Sequence, residues 1–182
     1  MTSTSSTYGK IKLLDVPHAA ALANEIFEED CYNFDRIPAD TIVLDIGACY
    51  GEFAIRCAVE KHSRVIAYEP SPANRKILEQ NCRLNGLTDD QLVVSSLAIG
   101  TPGRRSFTQR PEHPAGSMFE DEAAKHGCGG DIVEVECASI ADQIRLAKER
   151  WGGLPICVKM DCEGAEHEIG RASCRERVFV GV

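Results

Sequence analysis

The run Thr41-Ile42-Val43-Leu44-Asp45-Ile46 constrains this chain more than any other stretch: it is almost wholly apolar, rich in β-branched residues, and closed at once by Gly47. Such a strand is buried on both faces, as happens in parallel sheets covered by helices. The residues that follow supply those helices. Glu52 to His62 sets Phe53, Ala54, Cys57 and Ala58 at helical spacing, and Arg64 to Glu69 reads as a second buried strand. Ser71 caps a helix with Pro72 in its first turn, which Asn85-Gly86 ends in a left-handed stop. Gln91 to Ile99 reads as a third strand, and Pro155 to Asp161 as a further buried one after a helix capped by Ser139 and closed at Gly152-Gly153. This alternation predicts an α/β fold, a Rossmann-like doubly wound and mostly parallel sheet with right-handed crossovers, whose central strand is Thr41 to Ile46.

Around that frame, the first ten residues are Ser/Thr-rich and expected to be mobile, and His18 to Glu29 reads as a short helix with Ala19, Leu22, Ala23 and Ile26 on one stripe. Between Gly100 and Gly130, Pro and Gly recur too often for a long element. That stretch is expected to be loop or short hairpin, either a lid over an acceptor or an insertion with no catalytic part. Asp131 to Cys137 alternates polar and apolar residues, as an extended segment with one wet face does.

The chain has 182 residues and a net charge of −8, which suits one compact domain and repels phosphate backbones and anionic membrane surfaces. Nucleic acid and membrane are therefore excluded as expected partners. Nine cysteines occur without a Cys-x-x-Cys pair, so reduced, packed thiols are expected. With no leader-like start and no apolar run long enough to span a bilayer, the expected compartment is the cytoplasm.

The chemistry gathers where strands end. Asp45-Ile46-Gly47-Ala48-Cys49-Tyr50-Gly51 joins an acid, a glycine turn and a helix start at the place where doubly wound sheets bind ligands. It lacks the second glycine of Gly-x-Gly-x-x-Gly, and an acid beside the first glycine suits a cationic or amine-bearing ligand better than a diphosphate. Glu69, at the end of the second strand, stands where an acid accepts the hydroxyls of a ribose. A small-residue loop, an acid near an amine and an acid on a ribose together describe a site for S-adenosylmethionine. In Lys159-Met160-Asp161-Cys162-Glu163-Gly164-Ala165-Glu166, alternation brings Lys159, Asp161 and Glu163 to one side, beside the same pocket.

Together with Tyr68-Glu69-Pro70-Ser71-Pro72 and Asn85-Gly86-Leu87, these runs resemble the FkbM family of S-adenosylmethionine-dependent methyltransferases, from about Glu25 to Glu168. The Lys-x-Asp-x-Glu-Gly-x-Glu element is the family-specific part. The resemblance implies O-methylation of a hydroxyl on a small molecule, sugar or natural product. It implies that Asp45, Gly47, Ala48, Gly51 and Glu69 contact the cofactor, with Ala98 near the adenine and Lys159, Asp161 and Glu163 near the reacting centre. Asp161 or Glu163 is the candidate for the base or for orienting the hydroxyl. His113, His126 and His167 are rivals by residue type alone. Hard oxygen ligands at Asp161 and Glu163 would suit magnesium, but nothing in the spacing demands a metal and none is assigned. Two alternatives remain: a nicotinamide-dependent oxidoreductase on a similar sheet, and a catalytically silent fragment that binds a nucleoside.

From Gly170 the text changes. Gly-Arg-Ala-Ser-Cys-Arg-Glu-Arg-Val departs from the family pattern and resembles a sequencing adapter translated in one frame. The expected division is an N-terminal tail and helical lead-in at 1–36, an incomplete methyltransferase domain at 37–169 and a non-native tail at 170–182. The family's fold continues with a helix and three more strands, so the C-terminal strands are expected to be missing. The strand ending at Asp161 would then have an open apolar edge, and part of the acceptor site would be absent.

Overall fold

The computed structural model describes residues 4–110, 112–162 and 177–181. In chain order the strands are β1 (Ser5–Tyr8), β2 (Ile11–Leu14), β3 (Ile42–Ile46), β4 (Arg64–Tyr68), β5 (Leu92–Ser95), β6 (Ala98–Ile99), β7 (Gly103–Gln109), β8 (Met118–Phe119), β9 (Asp131–Ala138), β10 (Ile156–Met160) and β11 (Arg177–Gly181). The helices are α1 (Ala19–Phe27), α2 (Glu52–Glu60), α3 (Pro72–Leu84), α4 (Glu120–His126) and α5 (Ile140–Trp151). The main sheet runs β11-β10-β3-β4-β5, parallel throughout except for antiparallel β11. This is the expected Rossmann-like sheet with β3 at its centre.

All five residues of β3 are buried, and their alternation divides the core in two. Val43 packs with Val65 and Cys157 against α1, α2 and α3. Ile42, Leu44 and Ile46 face the other way, against Ala147 and Ile144 of α5. Parallel strands need crossovers, the crossovers are helices, and helices on both faces leave no polar side to the strand. The caps are as expected. Ser71 accepts from the Asn74 N–H and Ser139 from the Asp142 N–H, while Gly86 takes a left-handed φ of +65°.

Four expectations are corrected. First, residues 5–8 form β1, paired with β2 across a turn at Gly9 (φ +58°). Ile11 and Leu13 are buried, Asn81 accepts from Leu14 N–H at 2.9 Å, and Asn85 accepts from Lys12 N–H at 2.9 Å, so α3 holds the hairpin. Second, Gln91 to Ile99 is not one strand. Ser95 Oγ accepts from Leu97 N–H, a local bond that turns the chain, so β5 stays in the main sheet while β6 pairs with β9.

Third, the stretch from 100 to 130 is built into a second sheet, ordered β6-β9-β7-β8. β7 pairs antiparallel with β9 over seven residues, and α4 follows β8. Pro and Gly fall between these short elements and do not prevent them. Fourth, the edge of β10 is occupied, since β11 pairs with it from Ile156↔Gly181 to Met160↔Arg177. An apolar strand presents a row of unpaired N–H and C=O groups, which any adjacent extended segment can satisfy.

Candidate functional site

Where the main sheet's strands end, an open cavity of about 830 Å³, measured out to its mouth, lies between that sheet and the second one. Its walls include Gly47, Ala48 and Cys49 after β3, Glu69 after β4, Leu97 to Ile99 at β6, and Lys159, Asp161 and Cys162 at the end of β10. Phe107 and Phe119 of the second sheet, with Ser117 just before β8, line it too, as do Leu22, Glu25 and Ile26 of α1.

The loop after β3 is shaped by close approach. Gly47 has φ +76°, and a Cβ there would collide with the Asp161 carbonyl oxygen. The Gly47 and Ala48 N–H groups both donate to Tyr68 O, at 3.0 and 3.1 Å, and Asp161 N–H donates to Ile46 O at 3.0 Å. The three strand ends are thus tied together. Gly51 (φ +90°) serves a different contact: a Cβ there would strike the Leu78 side chain, so this glycine seats α2 against α3 and does not line the cavity.

Glu69 is buried and faces the loop. Its carboxylate accepts from Cys49 N–H at 2.8 Å and Ser71 N–H at 2.9 Å. Burial pushes its pKa up to about 7, against the pull of those two amides. Beside it Leu97, Ala98, Ile99 and Phe107 form an apolar wall.

Across the loop, Lys159 is 4% exposed. Its Nζ donates to Gly47 O at 2.8 Å and lies 3.0 Å from Asp45 Oδ1 and 4.0 Å from Asp161 Oδ2. Burial opposes the ammonium charge, but Asp45 and Asp161 outweigh it and hold the pKa above the ordinary lysine value. Asp161 also accepts from Tyr32 Oη–H at 2.7 Å.

Two further acids complete the wall. Glu52, the first residue of α2, is 4% exposed; burial raises its pKa to about 8, and its Oε1 has no hydrogen-bond partner. Glu25 has its pKa raised by partial burial, then by Asp161 and Glu29.

Of the residues expected at a cofactor site, Gly47, Ala48, Glu69 and Ala98 line this cavity, as do Lys159 and Asp161 from the expected reacting centre. Asp45 and Gly51 do not. Asp45 is fully buried beneath the loop, because the strand pleat that turns it inward also brings it to Lys159, its neighbour in the β3–β10 register. Glu163, Glu166 and His167 lie outside the described residues. His113 stands near the His18 ring and His126 ends α4; neither lines the cavity.

Tyr32, Glu25 and Glu52 were not legible as site residues. Glu52 stands in a helical first turn, where an acid is ordinary, and Tyr32 sits in a linker whose partner Asp161 is 129 residues away. Among the described residues, no helix is long and apolar enough to cross a membrane.

These features suit an S-adenosyl ligand: a buried carboxylate next to an apolar slot, and an orphaned acid on the opposite wall. The family match points the same way. The model of the methyltransferase FkbM domain matches residues 45–171, more than half of the chain. Methyltransferase sdnD of Sordaria araneosa is 26% identical over 174 residues, covering 83% of this chain and 67% of that protein. Methyltransferase 1 of Beauveria bassiana is 23% identical over 160 residues, covering 81% and 64%. Among solved structures, P. horikoshii TYW2 in complex with MeSAdo is similar at 24% identity and a TM-score of 0.43, over 53% of this chain and 36% of that one. The chain thus spans about two thirds of those curated relatives and about a third of that solved chain. On the family match, the chain belongs to the FkbM family of S-adenosylmethionine-dependent methyltransferases.

Proposed function

We propose that the whole protein transfers the methyl group of S-adenosylmethionine to a hydroxyl group of a small molecule, such as a sugar or another natural product. The observation that carries the acceptor assignment is the Asp161–Tyr32 pair: a carboxylate at the cavity wall, partly open to solvent, accepting a 2.7 Å bond from a phenol. A carboxylate so placed can take a proton from a hydroxyl drawn up beside it. The cofactor, when bound, supplies a methyl group already activated on a sulfonium.

This chain's own residues then bind, orient and deprotonate. Glu69 accepts from the ribose hydroxyls, and Leu97 to Ile99 with Phe107 pack on the base. Lys159 fixes the Gly47 carbonyl and so the loop backbone on which the cofactor lies. Tyr32 orients Asp161, which receives the proton the hydroxyl loses as its oxygen takes the methyl group. Phe53, Phe107 and Phe119 exclude water, and positioning the oxygen behind the methyl lowers the barrier by several kcal/mol, up to about 7–11 in the best-aligned cases.

The test is methyl transfer from labelled S-adenosylmethionine to a panel of hydroxylated sugars and natural products, each paired with its deoxy counterpart. Label in the hydroxyl compounds alone supports the proposal. Label on amines or thiols instead, with none on any hydroxyl, refutes it.

A further inference from the structure

We infer that Glu52 binds the α-ammonium of the cofactor's aminoacyl arm, the role that sequence reasoning gives to Asp45. The inference rests on the S-adenosyl reading above and assigns one end of that ligand.

Sheet order fixes which end. β4 and β10 flank β3 on opposite sides, so Glu69 and the wall from Leu97 to Ile99 stand on one side of the loop and Lys159 and Asp161 on the other. Glu52 belongs to the second side: it directly precedes Phe53, whose ring meets that of Tyr32 at 5.2 Å, and Tyr32 is bonded to Asp161. With ribose at Glu69 and the base beyond it, the aminoacyl arm crosses Gly47 to Cys49 toward Glu52.

A cationic group arriving there finds one buried carboxylate with an unmet oxygen. Asp45 is already opposed by Lys159 at 3.0 Å, and Asp161 is bonded to Tyr32. Among the described residues, the buried side-chain oxygens without a hydrogen-bond partner are both of Asp45, the Ser63 hydroxyl and Glu52 Oε1. Of these residues only Glu52 lines the cavity. A buried acceptor with no donor is costly, and an ammonium brings three donors and the opposite charge. Glu25, also in the wall, adds to the same negative field.

The test is calorimetric titration of the full chain and its Glu52→Gln variant with two ligands: S-adenosylhomocysteine, and the analogue in which hydrogen replaces the α-amine. Both keep the adenosine and the carboxylate. Wild type should prefer the amine by about ten- to hundredfold, the worth of a charge-assisted bond in a dry site. Glu52→Gln should shrink that preference to within about threefold while leaving affinity for the deaminated analogue unchanged. Glu52→Asp, which keeps the charge at shorter reach, should retain part of the preference and serves if the Gln variant does not fold. Equal binding of both ligands by wild type overturns the inference, as does an undiminished preference in Glu52→Gln or an equal loss for both ligands. Failure of wild type to bind either ligand sinks the S-adenosyl reading itself, a result distinct from these.

Discussion

Replacing Lys159 by Met should destabilise the protein far more than loss of a surface charge would. Lys159 is 4% exposed and Asp45 is 0% exposed, so the 3.0 Å ion pair is shut away from water. Removing the ammonium leaves the Asp45 carboxylate buried with no countercharge, and also frees the Gly47 carbonyl. Breaking a buried pair from one side costs about 3–5 kcal/mol, whereas replacing both partners by uncharged groups is near neutral. Urea unfolding of Lys159→Met should therefore show a loss of about that size at pH 7. The double variant Asp45→Asn with Lys159→Met should recover most of it. A single-variant loss under about 1 kcal/mol, or a double variant no more stable than the single, would refute the idea that this pair is dry and mutually dependent.

Glu52 gives a pH signature. Its folded pKa of about 8 exceeds the ordinary 4.5, so the folded state holds a proton that the unfolded chain releases; stability should fall as pH rises from about 4.5 to about 8. The ceiling on that loss is about 5 kcal/mol, and Glu52→Gln should flatten the profile of Tm against pH; an unchanged slope contradicts the burial argument. Asn81→Ala removes the bonds to Leu14 N–H and Tyr50 O and should cost about 1–3 kcal/mol, with faster amide exchange in β1 and β2. Unaltered exchange would show that α3 does not hold the hairpin. Asp161→Asn should lower kcat by about 100- to 10,000-fold, while Tyr32→Phe lowers it less and leaves cofactor affinity in place. Equal effects on kcat from both substitutions would contradict the separate roles of base and orienting phenol.

How much of this was legible in the sequence depends on how local the cause was. The run from Thr41 to Ile46 announces a strand buried on both faces, and that one inference brings the parallel sheet, its helices and its ligand end with it. The Ser71 and Ser139 caps and the Gly86 stop are equally local. What escaped depends on distant partners. β1 is a strand because Ile11 and Leu13 have a core to enter and Asn81 meets Leu14, 67 residues away. β7 is a strand because β9 is there to pair with it.

The site divides in the same way. Glu69, Gly47 and Asp161 follow from strand ends, since the topology places strand ends together. Asp45, expected at the ligand, is held beneath the loop because its pairing depends on register: Lys159 lies opposite it on β10, and the two charges meet there. Gly51, expected at the ligand, makes room for the Leu78 side chain, a contact that only the packing of α2 on α3 reveals.

The central claim is that this cavity seats an adenosyl sulfonium with its ribose on Glu69, and calorimetric titration with S-adenosylhomocysteine and with NAD tests it most directly. Saturable heat with S-adenosylhomocysteine, lost in Glu69→Ala, and none with NAD is the predicted result. Heat with NAD alone, or S-adenosylhomocysteine binding that is indifferent to Glu69, would contradict it.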